Sequence, residues 1–193
     1  MRILPIAWRS DCRIQFMAQA QLLYIGTEQG VVLLSNPGRI DRWISVGIEL
    51  ADQAIAAVIC QADAPMQATV WNSNQAWQTK DGGQSWQALE PAPSLIAPSQ
   101  SIELTGQPPA TIRIASDPNQ LERSSDGESW QHLAIGQVGE WSCLISVAYQ
   151  IDSIYAATKA GQVWVSSDRG RTWALLKQQL APITALAIGR VIS

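Results

Sequence analysis

The chain has 193 residues, of which 47% are hydrophobic and only 15% charged, with 13 Lys and Arg against 16 Asp and Glu for a net charge of −3. That length suits one domain with a sizeable core, and the acidic balance argues against a nucleic-acid or anionic-lipid partner, which draws the opposite sign. Three scattered cysteines (Cys12, Cys60, Cys143) without a CxxC pair, and a single histidine (His132), argue against a disulfide framework and a zinc centre, so no metal and no cofactor is expected. No apolar run approaches the ~20 residues that span a bilayer. Charge returns at Arg9 and Asp11 before a secretory apolar region forms, so the expectation is a cytoplasmic protein without membrane insertion.

In chain order, residues 3–8 (ILPIAW) read as a terminal closing strand and residues 13–17 as a first inner strand. Short strand pairs follow at 22–27 with 31–35, 68–72 with 75–79, 111–116 with 120–124, and 153–158 with 162–166. Turn residues such as Glu28-Gln29-Gly30 and Asp117-Pro118-Asn119 divide them. More continuously apolar segments lie at 54–60, 141–148, 183–188 and, less cleanly, 94–102. Gly, Pro, Asn or Ser breaks every window that a helix of ten residues requires. Trp43, Trp86, Trp130 and Trp173 stand 43, 44 and 43 residues apart. Four strands per fixed period of this size, the most apolar strand first, is the grammar of a β-propeller blade. The expected fold is therefore all-β: a small propeller of four blades, each of four antiparallel strands, forming a single domain over 1–193. The blades are placed at 10–48, 53–91, 94–136 and 140–180, with closing strands at 3–8 and 183–193. The ring is completed either by terminal strands meeting inside one blade or by a second chain, giving a monomer or a homodimer.

Each tryptophan ends a short motif. Thr79-Lys80-Asp81-Gly82-Gly83-Gln84-Ser85-Trp86 matches Ser166-Ser167-Asp168-Arg169-Gly170-Arg171-Thr172-Trp173 position for position as [ST]-x-D-x-G-x-[ST]-W. A third copy keeps Gly127, Ser129 and Trp130 but reads with its Asp126 one place late; the first, from Ser35 to Trp43, reads as the most degenerate, with a loop one residue longer. This motif resembles the Asp-box (BNR repeat) of sialidases, sortilin-type receptors, some xyloglucan-degrading hydrolases and, closest in tone, the photosystem II assembly-factor propellers. The resemblance implies a box in the hairpin between third and fourth strands of each blade, on the rim and away from the functional face. The box residues are then structural: the Asp accepts bonds from turn amides, the Gly takes a backbone shape closed to other residues, and the Trp fills the wedge between sheets. Asp168→Ala is accordingly expected to destabilise the domain, and Asp126→Ala to do so much less.

Sialidase-like hydrolysis is the enzymatic alternative such boxes suggest. Its Arg-Ile-Pro signature is absent, and only Tyr24, Tyr149 and Tyr155 are available for a Tyr–Glu pair. Glu103, Glu140 and Asp152 lie near inter-strand loops, where acids are ordinarily solvated. The expected function is non-enzymatic: a scaffold that binds another protein or helps a complex assemble. By the assembly-factor resemblance, that complex is a photosynthetic or other membrane-associated one. Candidate partner-binding residues are Arg39, Arg42, Arg169 and Arg171 beside the first and fourth boxes, with Leu95 and Ile96 in the proline-rich stretch 91–109. That stretch interrupts the repeat, and long irregular loops on rigid scaffolds often carry binding function.

Overall fold

The computed structural model describes residues 20–38, 42–61, 63–90, 92–106, 108–136 and 138–191. Among them, sixteen strands form four four-stranded antiparallel sheets and there is no helix, hence none long and apolar enough to cross a membrane. Blade 1 is ordered β16 (Ile183–Arg190), β1 (Gln21–Thr27), β2 (Gly30–Asn36), β3 (Ile44–Glu49). Blade 2 contains β4 (Ala57–Cys60), β5 (Ala68–Trp71), β6 (Ala76–Thr79) and β7 (Gln87–Leu89). Blade 3 contains β8 (Ser101–Leu104), β9 (Ala110–Ile114), β10 (Leu121–Ser124) and β11 (Gln131–His132). Blade 4 contains β12 (Trp141–Val147), β13 (Gln150–Thr158), β14 (Val163–Ser166) and β15 (Ala174–Lys177). The all-β propeller architecture follows.

The innermost strand of blade 1 is the last strand of the chain. β1 pairs with β16 from Gln21↔Arg190 to Thr27↔Ile183 on one side and with β2 on the other. The place expected for residues 13–17 is thus filled by 183–190; residues 3–8 and 10–19 lie outside the described residues. In that place β16 contributes to two cores. Ile183 and Leu186 pack toward blade 4 with Leu23, Leu34 and Tyr155, whereas Ala185 and Ala187 pack toward blade 2 with Tyr24, Val58 and Val70.

Blades pack in the order 2–1–4–3, and each of these three seams has its own apolar cluster. Among the described residues, no comparable strand contact or core cluster joins blades 2 and 3. The burial patterns give the reason. β1 is buried at every residue, as a strand packed on both faces must be. β8, by contrast, alternates Ser101 and Glu103 outward with Ile102 and Leu104 inward, and the outward side of β9 and β10 carries the Arg113–Glu122 ion pair (2.8 Å). Blade 3 is a one-sided sheet whose free face is polar.

The box tryptophans follow the same asymmetry. Trp43 packs edge-on to Tyr155 of blade 4 (5.8 Å between centroids) and Trp86 to Tyr24 of blade 1 (6.4 Å), while Trp173 tilts against Trp141 of its own blade (6.3 Å) at the edge of the cluster shared with blade 3. Trp130 instead lies under the Arg113 guanidinium, 3.6 Å from its ring centroid. Truncating Trp86 or Trp173 to Ala should therefore destabilise by about 3 kcal/mol, and truncating Trp130 by about 1 kcal/mol. Urea denaturation of the three variants checks the ranking, and equal losses would contradict the open seam.

Candidate functional site

The four box hairpins join the third and fourth strands of their blades. In each, the residue ending the third strand donates or accepts the first bond of the turn. Thr79 Oγ1 donates to Asp81 Oδ1 (2.7 Å) and accepts from Gly83 N (2.8 Å), while Asp81 accepts from Ser85 N (2.9 Å) and Ser85 Oγ (2.5 Å). Ser166 and Asp168 repeat this with Gly170 N, Thr172 N (2.8 Å) and Thr172 Oγ1 (2.6 Å). Gly83 and Gly170 have φ of 93° and 81°. A Cβ at these positions would be strained by that backbone and would lie 2.6 Å from a Leu33 methyl and 2.3 Å from an Ile112 methyl on the neighbouring blade, so glycine is favoured. Gly127 also has positive φ, but a Cβ there meets nothing within 4 Å, because its hairpin faces the open seam.

Strand register corrects the reading of both degenerate copies. Ser35 pairs with Ile44, Gln78 with Gln87, Arg123 with Gln131 and Val165 with Ala174. The equivalent strand-end residues are therefore Asn36, Thr79, Ser124 and Ser166. The first loop has the ordinary length rather than an extra residue, with Asn36 Oδ1 accepting from Gly38 N (2.9 Å) in place of the hydroxyl–Asp arrangement. The third loop is one residue shorter, and Asp126 has not moved relative to its serine. Ser124 Oγ donates to it (2.9 Å), as do the amides of Glu128 (2.9 Å) and Ser129 (2.8 Å). The expectation that Asp126 matters far less than Asp168 is thereby revised: Asp126→Ala and Asp168→Ala should lower Tm by similar amounts, which paired thermal melts will test.

These bonds favour the ionised acids. The Ser85 hydroxyl and amide, then the Thr79 hydroxyl, hold the Asp81 carboxyl down at about 2. The Ser129 and Glu128 amides, then the Ser124 hydroxyl, hold Asp126 well below the usual carboxylate range. Burial pushes Asp168 up, but bonds from Thr172, Ser166 and Arg171 outweigh it and leave the net shift downward. A depressed native pKa contributes stability that is present above the unfolded value of about 4 and lost as pH falls through the native one. Urea midpoints should accordingly drop between about pH 4 and pH 2. Asp81→Asn should lower stability at neutral pH and flatten that drop.

Because neighbouring strands are antiparallel, one end of the sheets carries the boxes and the other the connections between blades. Arg42 and Arg171 lie at the box end, while Leu95 and Ile96 lie in the blade 2–3 connection at the opposite end. Arg39 lies outside the described residues. The candidate partner-binding residues are thus not brought together. Arg169 is corrected outright: it is buried (7% exposed), and its guanidinium donates to the carbonyls of Thr105 (2.7 Å), Pro108 (2.8 Å) and Leu104 (3.5 Å) on blade 3. The candidate acids are dispersed as well. Glu140 pairs with Lys159 at the connection end, Asp152 approaches Arg169 (3.8 Å) at the box end, and Glu103 lies on the free face of blade 3.

The connection between blades 2 and 3 is anchored rather than loose. Trp71 Nε1 donates to Pro93 O (3.0 Å), Leu144 N to Ser99 O (3.0 Å) and Ile114 N to Gln100 O (2.9 Å). Between these anchors Leu95 and Ile96 are 48% and 55% exposed. The anchoring has no signature in the sequence, since two of its three bonds are backbone to backbone. A second apolar group, Ile44, Val46 and Ile48, is exposed on β3, the outer edge strand of blade 1, which bulges at Val46. Its signal was present in the WISVGI run after the first box.

No protein-family model matches the sequence, and no curated protein matches it either. Solved structures do match. The nidogen/laminin complex is similar at 9% identity over 88% of this chain and 98% of that one, with a TM-score of 0.38. YCF48 bound to D1 peptide is similar at 13% identity over 92% and 95%, with a TM-score of 0.35. The GH74 enzyme of Niastella koreensis is similar at 13% identity, with a TM-score of 0.33; the match takes in 81% of this chain and spans about a quarter (24%) of the enzyme's length.

Proposed function

We propose that this chain is a non-enzymatic protein-binding platform that engages its partner through the blade 2–3 connection. The observation carrying this reading is the display of Leu95 and Ile96 in water on a segment fixed at both ends to blades 2, 3 and 4. Apolar side chains held away from their own core mark contact surfaces, and prior anchoring reduces the entropy cost of ordering on association. The apolar outer strand β3 offers a further contact on the rim. The partner is a protein complex, photosynthetic or otherwise membrane-associated, met from its cytoplasmic side by a monomer or homodimer of this chain.

Affinity capture from a gently solubilised lysate of the source organism, read by quantitative mass spectrometry, tests the reading. The control is the double substitution Leu95→Ser and Ile96→Ser, which leaves β8 intact, whereas replacing the whole 91–109 stretch would remove that core strand. One dominant complex, depleted at least about tenfold by the double substitution, is the expected result. Equal recovery by both proteins would place the partner elsewhere, and turnover in a glycoside panel would overturn the non-enzymatic reading.

A further inference from the structure

The innermost strands β4, β12 and β16 end together at the box end of the sheets, at Cys60, Val147 and Arg190. Between those ends lies a cavity of about 190 Å³, to which Ser146, Tyr149 and Ile188 also contribute. Arg190 is the one charged residue lining it, and neither Asp nor Glu does so among the described residues. Its guanidinium carbon lies over the Tyr149 ring, 3.9 Å from the centroid. A guanidinium held against an aromatic ring still presents a fork of N–H groups, which can take a carboxylate in bidentate fashion. Nor does the protein saturate these donors: Arg190 Nε is buried without a hydrogen-bond partner among the described residues. An unpaired, partly buried cation beside apolar walls is costly unless an anion completes it.

The neighbouring groups leave that anion unopposed. Burial pushes the Cys60 thiol up to about 12, so it stays neutral rather than supplying a thiolate. Burial likewise raises Tyr149 to about 12, keeping its phenol a donor at neutral pH. Size sets the other limit. Pockets for drug-sized ligands run from roughly 300 to 1,000 Å³, so this one admits only a molecule of a few carbons.

We infer that this cavity is a binding site for a small organic monocarboxylate, its carboxylate on Arg190 and its short apolar tail against Val147 and Ile188. The inference stands apart from the protein-binding reading. The test is a titration of the full chain with isobutyrate, followed by amide and arginine side-chain NMR, against isobutyramide at matched ionic strength. Saturable shifts around Ser146, Tyr149 and Arg190 with the acid alone are expected. Arg190→Gln should weaken binding at least about tenfold, with Arg190→Lys, which keeps the charge and loses the fork, in between. Equal responses to acid and amide, or none up to about 100 mM acid, overturn the inference. So does undiminished affinity in a folded Arg190→Gln protein. Should that variant fail to fold, the acid–amide comparison on the native protein decides alone.

Discussion

A chain ending at Pro182 will lose cooperative folding altogether. Removing β16 uncovers Leu23, Tyr24 and Ile25 on a strand that is buried at every residue, and leaves the outward backbone groups of β1 without partners from Gln21 to Thr27. Each large apolar side chain returned to water costs about 1.5–3 kcal/mol, and the several uncovered here exceed the 5–15 kcal/mol that a domain of this kind has in total. Two core clusters fail at once, because Ile183 and Leu186 belong to the seam with blade 4 while Ala185 and Ala187 belong to the seam with blade 2. A graded version is Leu186→Ala, expected to cost about 2–5 kcal/mol, against Val46→Ala on the exposed rim at less than about 0.5 kcal/mol. Circular dichroism melts and urea titrations read both. A truncated chain that kept a single sharp transition would mean that residues 13–17 supply the innermost strand after all.

The choice between those two segments shows where the sequence stops being informative. Residues 13–17 and 183–188 are both short and largely apolar, and nothing local distinguishes the strand that β1 accepts. The boxes at 79–86 and 166–173 were legible because their bonds join residues no more than four apart, so type and spacing suffice. The degenerate copies were not. Assigning Asn36 and Ser124 to the strand-end position requires the pairing of β2 with β3 and of β10 with β11, and a one-residue slip moves every equivalence. The open seam was readable in principle. Ser101-Ile102-Glu103-Leu104 alternates as a one-sided strand does, whereas Gln21-Leu22-Leu23-Tyr24-Ile25 runs apolar as a strand packed on both faces does. The cavity at Arg190 left no mark, since its walls come from three strands far apart in the chain.

Arg169→Ala will destabilise the protein by about 2–4 kcal/mol, although a charged residue three places before Thr172 in a turn reads as solvated. Its guanidinium ties the blade 4 box to three carbonyls, one at the end of β8 and two in the loop that follows it. Removing it leaves those acceptors facing a void and loosens the seam on which Ile102, Leu104 and Ile112 depend. Arg171, exposed in the same hairpin, should change stability by less than about 0.5 kcal/mol when replaced by Ala. Backbone strain adds a finer distinction. Arg169 has φ of 64°, a region that costs non-glycine residues about 1–2 kcal/mol, so Arg169→Gly should be milder than Arg169→Ala by about 1 kcal/mol. Ranking Arg169→Ala, Arg169→Gly and Arg171→Ala by urea midpoint separates a strut from a docking residue. A strut gives that order with partner capture unchanged in whatever fraction stays folded. Wild-type stability in Arg169→Ala together with lost capture would restore the docking role, and would require the loop after β8 to move aside when the partner binds.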